Sequence, residues 1–178
     1  MDLEYLINNY TIKKLSSEDN VNNFNCGLND MNNFLKNDAL IQQEENLNVT
    51  YLVYCDKNLV GFFSLLSDNI EIKSMDEEYS MPYETCPAVK IGRLAIDKKY
   101  SKQGFGTILL DNICGNIKLI SEKLGVRFIT VDAYCNVRKF YYKNSFNHFK
   151  INNIKKLQRT AERNEKTTIP LYKDIKRI

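Results

Sequence analysis

The sequence has no tryptophan, three prolines and a single histidine, His148, among its 178 residues. A metal site built from several histidines is therefore impossible, and the common histidine-rich zinc sites are excluded. The five cysteines are an odd number and include no C-x-x-C pair, so we expect reduced thiols rather than a disulfide framework. No apolar stretch approaches the roughly 18 residues that a membrane-spanning helix needs. We expect no metal, no disulfide and no membrane span.

The length and composition predict one globular domain over residues 1–178. Hydrophobic residues make up 43% of the chain and aromatic residues 11%, which is typical of a globular protein with a core. A chain of 178 residues is too short for two domains of usual size. The first ten residues carry two acids and no apolar run, so we expect no secretion signal and a cytoplasmic location.

Positive charge is concentrated at the C-terminal end. Residues 138–178 contain twelve Lys and Arg against three acidic residues, a net charge of +9, whereas the whole chain carries +3. A basic end on an otherwise acidic chain points to a polyanionic partner. A solvated tail explains the same charges equally well. Residues 152–166, which include Lys155, Arg159 and Arg163, form the most basic and least periodic part of it.

The most informative stretch runs from Val89 to Ile113. A β-strand is predicted over residues 89–97, and a stripe of apolar residues after Thr107 predicts a core-facing helix. Between them lies the turn Gln103-Gly104-Phe105-Gly106-Thr107. A strand, a glycine-containing turn and a helix N-terminus offer unpaired N–H groups to a phosphate. An ordinary strand–turn–helix, with glycines serving only the turn, is the alternative.

Within the predicted strand the apolar alternation changes phase. Val89 and Ile91 share one face, whereas Leu94 and Ile96 would lie on the other. One extra residue at Gly92-Arg93 restores the alternation, which predicts a β-bulge there.

The segment IGRLAIDKKYSKQGFGTILL resembles the acetyl-CoA-binding motif of the GCN5-related N-acetyltransferases. The resemblance implies that the strand pairs with pantetheine and that the turn holds the coenzyme pyrophosphate. Ser101 stands where the family has Arg or Gln, three residues before the first glycine. The resemblance assigns coenzyme binding to Leu94, Ala95, Ile96, Lys102, Gln103, Gly104, Phe105, Gly106, Thr107 and Asn136, and substrate binding to Arg93.

A second segment, FNCGLNDMNNFLKNDA, predicts an amphipathic helix with Asn29 as its N-cap. It resembles the opening of one branch of that family, the toxins that acetylate the amino acid on charged tRNA. This resemblance implies aminoacyl-tRNA as the acceptor, contacted by Lys155, Arg159 and Arg163. It also implies a homodimer and a small ribbon-helix-helix antitoxin as partner.

A third segment, VRKFYYKNSF, resembles the helix that carries the general-acid tyrosine of the family and places Tyr141 on it. Ser145 replaces the usual glycine, and a shift of one position would select Tyr142 instead. A phenol of pKa near 10 stays protonated at neutral pH and can donate to a departing thiolate. The alternative is a core tyrosine whose hydroxyl is satisfied by the backbone.

The resemblance implies a mixed α/β fold, with a central sheet that contains a splayed pair of parallel strands and is flanked by helices. The leading prediction is an acetyl-CoA-dependent N-acetyltransferase acting on aminoacyl-tRNA. Two alternatives remain open at this point. One is a housekeeping acetyltransferase for a protein N-terminus or a small amine, and the other is a coenzyme-binding domain without turnover.

Overall fold

The structure is a computed structural model that describes residues 1–75, 79–150, 160 and 167–178. Seven strands are ordered β1-β2-β3-β4-β5-β7-β6 in one sheet. Their bounds are Tyr10–Lys14 (β1), Val49–Cys55 (β2), Asn58–Glu71 (β3), Thr85–Ile96 (β4), Phe128–Tyr134 (β5), Asn147–His148 (β6) and Thr168–Asp174 (β7). The predicted class, a mixed α/β fold with helices flanking the sheet, is confirmed.

Five α-helices accompany these strands. They are Leu3–Asn9 (α1), Asn29–Asn33 (α2), Ala39–Glu44 (α3), Phe105–Ser121 (α4) and Arg138–Lys143 (α5). The chain divides into two compact units, one formed by Met1–Leu66 with Ile91–Leu110 and the other by Ser67–Lys90 with Asp111–Ile178. The prediction of one domain stays a prediction.

The first unit packs the predicted opening helix on the hairpin of β2 and β3. Strand β2 pairs antiparallel with both β1 and β3. Phe62 of β3 is fully buried, with Phe24 edge-on at 5.3 Å and Phe34 stacked at 6.1 Å between ring centroids. Leu35 and Leu52 belong to the same apolar cluster. Alternation of apolar residues along β2 and β3 therefore produces the core that the helix covers.

The opening helix is less regular than its sequence predicts. Helix α2 continues into a π-helical turn over Phe34–Asp38 and then into α3. The N-cap is Leu28, without a side-chain cap bond, so the prediction of Asn29 as N-cap was wrong. Asn29 is the first helical residue, and polar capping of the preceding backbone comes from Asn32, which accepts from the N–H of Cys26 at 3.0 Å.

Helix α1 has no counterpart in the sequence-based prediction. Asp2 caps it by accepting a hydrogen bond from the N–H of Tyr5 at 2.9 Å. Only Leu6 of its residues is buried, so the helix shows no apolar stripe long enough to be read from sequence.

The second unit is built on the antiparallel pair of β5 and β7. Their register matches Phe128 with Asp174 and Tyr134 with Thr168, and β6 pairs with the outer side of β7. Phe128, Met75 and Tyr172 are fully buried in its core. The guanidinium of Arg127 donates to Asp174 at 2.8 Å, which neutralises a carboxylate that is almost fully buried.

The five cysteines are free thiols, four of them buried and Cys26 half-buried. Among the described residues no helix is long and apolar enough to cross a bilayer.

Candidate functional site

The predicted phosphate turn lies in the first unit, between the end of β4 and the start of α4. Gly104 has a φ of +97° and Lys102 a φ of +62°, so the chain reverses through left-handed conformations just before the helix. Phe105 opens α4 and is buried, with the ring of Tyr10 edge-on at 5.4 Å. Lys102, Gln103 and Gly104 are exposed. The turn is thus anchored by one aromatic side chain and open at its tip.

The backbone N–H groups of this turn are free to bind a ligand. Among the described residues, no acceptor pairs with the N–H groups of Gly104, Phe105 or Gly106, whereas the N–H of Thr107 donates to the carbonyl of Gly104 at 3.0 Å. The first N–H groups of a helix lack intrahelical partners and carry partial positive charge. Together these groups form the anion-binding concavity that the sequence predicts at residues 103–107.

Strand β4 lies unusually close to β3. A Cβ at Gly92 would come 2.8 Å from Cδ2 of Leu66, and one at Gly61 would come 2.9 Å from the carbonyl oxygen of Ala95. Any larger residue would push the two strands apart. Gly92 therefore serves the packing of β4 on β3, a role that the sequence did not indicate.

The change of phase in β4 occurs earlier than predicted. Its buried residues are Cys86, Ala88, Ile91 and Ala95, so the alternation shifts between Ala88 and Ile91 rather than at Gly92-Arg93. Leu94 and Ile96 are half-buried, and Ala95 packs into the core of the first unit. Of these three predicted coenzyme residues, Ala95 can contribute only its backbone.

Asp97 is the residue that sequence reasoning missed. It follows β4 directly, is 4% exposed, and accepts hydrogen bonds from the N–H of Asn25 and from the N–H of Lys99, each at 2.9 Å. The N–H of Lys98 donates back to the carbonyl of Asn25 at 2.9 Å. An aspartate directly after a strand that caps the N–H two residues on is the usual pattern of an Asx turn. That pattern could have identified it.

Arg93 is half-buried, and its guanidinium lies 4.8 Å above the ring of Phe34. One terminal nitrogen donates to the carbonyl of Gly92 at 2.9 Å, while Nε is buried and has no partner among the described residues. Phe34 begins the π-helical turn, a feature that occurs often at functional sites. The side chain is held in place and keeps donors unused.

Tyr141 lies in the second unit, on α5. It is 6% exposed, and the rings of Phe140 and Phe146 lie edge-on at 5.0 and 5.4 Å. Burial, with a smaller contribution from Cys114, raises the pKa of Tyr141 well above its ordinary value. No described residue accepts a hydrogen bond from its hydroxyl, so the backbone acceptor expected of a purely structural tyrosine is not seen. Tyr142 is 39% exposed.

Ser145 has a φ of +63° at the end of α5. The N–H of Phe146 donates to the carbonyl of Tyr141, and the N–H of Ser145 to that of Tyr142, both at 3.1 Å. This is the left-handed helix end that glycine favours, which explains why the resembling family has glycine there.

The remaining predicted residues are distributed as follows. Asn136 lies exposed in a 3₁₀ turn of the second unit, Cys135–Val137. Lys155, Arg159 and Arg163 lie outside the described residues. Within the described part of the chain, no group of three or more His, Cys, Asp or Glu side chains is arranged to hold a metal ion.

Comparison with known proteins points in one direction, although no known family profile matches the chain. It is 26% identical over 132 residues to the tRNA-acetylating toxin of Mycobacterium tuberculosis (strain H37Rv), which covers 73% of this chain and 79% of that protein. The structure of AtaT complexed with acetyl-methionyl-tRNAfMet superposes with a TM-score of 0.78 at 21% identity, covering 95% of this chain and 96% of AtaT. A mutant of AtaT bound to the C-terminus of the antitoxin AtaR and acetyl-CoA gives a TM-score of 0.72 at 21% identity, with 95% of each chain covered.

These likenesses extend over nearly the whole chain and are not confined to the coenzyme turn. The chain therefore has the fold of the GCN5-related N-acetyltransferases and, within that fold, resembles the toxins that acetylate tRNA.

Proposed function

We propose that this chain is an acetyl-CoA-dependent N-acetyltransferase that acetylates the α-amine of aminoacyl-tRNA. The amine attacks the thioester carbonyl, so a C–N bond forms and the C–S bond breaks. The amine loses a proton to solvent, and the departing thiolate gains one. Transfer is direct, because the described residues offer no nucleophile placed beside a base in the proposed site.

The free N–H groups at residues 104–106 are the observation that carries the proposal. A turn with exposed N–H groups at a helix N-terminus is suited to the pyrophosphate of acetyl-CoA. AtaT, whose fold this chain shares, has been solved with acetyl-CoA. We assign the pantetheine to the backbone of Leu94–Ile96 and the pyrophosphate to residues 102–107, with Asn136 as a further contact.

Tyr141 is the proposed general acid. Its raised pKa keeps the hydroxyl protonated throughout the neutral range, and the thiol formed has a pKa near 8.5, so donation to the thiolate is favourable. The absence of a described hydrogen-bond acceptor leaves the hydroxyl proton available for that step.

The acceptor is proposed from two independent features. AtaT is complexed with acetyl-methionyl-tRNAfMet, and the relative from Mycobacterium tuberculosis is a tRNA-acetylating toxin. The basic residues Lys155, Arg159 and Arg163 suit phosphate contacts, and Arg93 suits a polar group of the acceptor. An α-amine also needs no strong base, because its pKa is near 8.

We further propose that the chain acts in the cytoplasm as one domain over residues 1–178, forms a homodimer, and is neutralised by a small antitoxin of ribbon-helix-helix type. AtaT is bound to the C-terminus of the antitoxin AtaR in a solved structure, which supports an antitoxin as partner.

The test is to incubate the purified protein with acetyl-CoA and a pool of charged tRNA, and to identify acetylated aminoacyl-adenosine by mass spectrometry after nuclease digestion. We expect acetylation of the amino acid on one or a few tRNA species. Acetylation of peptides or free amines, with charged tRNA untouched, would support a housekeeping acetyltransferase instead. Coenzyme binding without any product would indicate a domain that lacks turnover.

A further inference from the structure

We infer that Asp97 is a positioning residue for the coenzyme: its carboxylate fastens the loop of residues 24–27 to the coenzyme turn and thereby fixes the N–H groups that bind pyrophosphate. The inference rests on the proposed acetyl-CoA site. It assigns a role to the FNCG part of the opening segment, which the reaction itself does not use. All the residues concerned lie in the first unit.

The two oxygens of Asp97 serve two different segments. Oδ2 accepts from the N–H of Asn25, and Oδ1 accepts from the N–H of Lys99. The backbone of Asp97 adds two more bonds, since its N–H donates to the carbonyl of Val60 and its carbonyl accepts from the N–H of Tyr100, both at 2.9 Å. One buried residue therefore joins the loop of residues 24–27, strand β3 and the coenzyme turn.

The loop itself is held by two asparagine side chains. Oδ1 of Asn25 accepts from the N–H of Gly27 at 2.9 Å and from Nδ2 of Asn32 at 3.1 Å. Oδ1 of Asn32 accepts from the N–H of Cys26 at 3.0 Å. Gly27 has a φ of +90°, which lets the loop turn back into α2. The side of the clamp opposite Asp97 is consequently rigid.

This clamp ends where the free N–H groups begin. The hydroxyl of Ser101 donates to the carbonyl of Lys98 at 3.0 Å, and the N–H groups of residues 104–106 follow without described partners. Helix α4 holds one end of that array, and Asp97 holds the other. If Asp97 lets go, the array must be ordered by the ligand at the moment of binding, which lowers affinity.

Asparagine at position 97 is the sharpest probe. It has nearly the same volume, but only one carbonyl oxygen, so its amide group must face one of the two backbone N–H donors. One of the two bonds is lost and a buried donor is left unpaired. We expect the Kd for coenzyme A to rise about tenfold or more, while kcat at saturating acetyl-CoA changes less than threefold.

The matched control is Asp174→Asn in the second unit. Asp174 is also 4% exposed and also accepts two bonds on separate oxygens, from Arg127 and from the N–H of Lys176, each at 2.8 Å. A merely structural loss of a buried carboxylate should affect both variants alike. A positioning role should weaken coenzyme binding only in Asp97→Asn.

The experiment is calorimetric titration of the full chain with coenzyme A, together with KM for acetyl-CoA and kcat. If Asp97→Asn is too unstable, Asn32→Ala replaces it, because it loosens the loop without touching Asp97 and should also raise the Kd. Equal affinities of wild type and whichever variant folds would overturn the inference while the coenzyme site stands. No binding by the wild type would overturn both the site and the role of Asp97 in it.

Discussion

The guanidinium of Arg93 lies 4.8 Å above the ring of Phe34 and forms no ion pair with any described residue. Stacking of this kind contributes about 0.5–2 kcal/mol and fixes the plane of the group. A half-buried cation with an unpaired Nε is costly unless a ligand completes it. We therefore interpret Arg93 as a group held ready for a carbonyl or phosphate oxygen of the acceptor.

Arg93→Lys should raise KM for charged tRNA by roughly tenfold, because an ammonium group cannot reproduce the planar, stacked donors of guanidinium. Affinity for coenzyme A should stay unchanged. Steady-state rates at varied charged tRNA and saturating acetyl-CoA give the answer. Arg127→Lys is the matched control, since Arg127 lies 5.2 Å from the ring of Phe128 in the other unit. An unchanged KM in Arg93→Lys would remove Arg93 from the acceptor site.

Gly104→Val should abolish the thermal stabilisation by coenzyme A. At a hundredfold excess over Kd, binding adds about 2.7 kcal/mol, which corresponds to a rise in Tm of roughly 5–10 °C for a chain of this size. The branched side chain would crowd the phosphates, and the φ of +97° would strain the free protein as well. Differential scanning fluorimetry with and without coenzyme A measures both effects.

Asn46→Val separates strain from ligand crowding, because Asn46 has a φ of +57° in the turn after α3. It should lower the Tm of the free protein and keep the full rise with coenzyme A. A full rise in Gly104→Val would place the coenzyme elsewhere.

Tyr141→Phe should lower kcat by about 10²–10⁴ and leave the Kd for coenzyme A nearly unchanged, because only proton donation to the thiolate is lost. Tyr142→Phe is the natural control, as its ring is partly exposed beside that of His148. Single-turnover rates for both variants distinguish the two positions. Reversed effects would shift the general acid to Tyr142, and equal small effects would leave Tyr141 as a core residue.

Replacing Lys155, Arg159 and Arg163 together with glutamine should weaken KM for charged tRNA and reduce the log–log salt slope by roughly 2–3 units. Each lost cation releases one fewer counterion, so the slope falls with the number of phosphate contacts. Acetyl-CoA affinity should not change, and a free amino acid amide should be a poor substrate insensitive to salt. Acetylation rates across a salt series settle the matter, and identical slopes would make the basic segment a solvated tail.

The thiol of Cys114 should make the protein lose stability as the pH rises above about 8.5. Burial, opposed by Lys173 and reinforced by Asp111, raises its pKa to about 11. In the unfolded chain the thiol ionises near pH 8.5, so between these values the unfolded state releases its proton first. The free energy of unfolding then falls by up to about 1.4 kcal/mol per pH unit.

Cys114→Ala should reduce that fall. Urea denaturation at about pH 7.5 and about pH 9.5, for wild type and variant, gives the two differences in stability. An equally steep fall in both proteins would show that the thiol stays neutral in the unfolded chain or titrates alike in both states.

Local patterns were sufficient for much of the fold. The apolar runs at residues 49–55 and 59–67 predicted β2 and most of β3, and the stripe after the coenzyme turn predicted α4. Periodicity of this kind reports which face of an element is buried, and that information is local. The unpaired N–H groups at residues 104–106 follow from the same source, because a helix that starts after a glycine turn must leave them open.

Tertiary packing decided what periodicity does not encode. The close approach of Gly92 and Gly61 to the neighbouring strand depends on how β3 and β4 pair, and the π-helical turn at Phe34 depends on what that helix packs against. The partners of Asp97 lie 72 residues away in the chain, at Asn25, so no local pattern could reveal the bond. The sequence by itself determined the elements and the chemistry of the turn, whereas the burial that raises the pKa of Tyr141 and the carboxylate that holds the turn arose only when distant segments met.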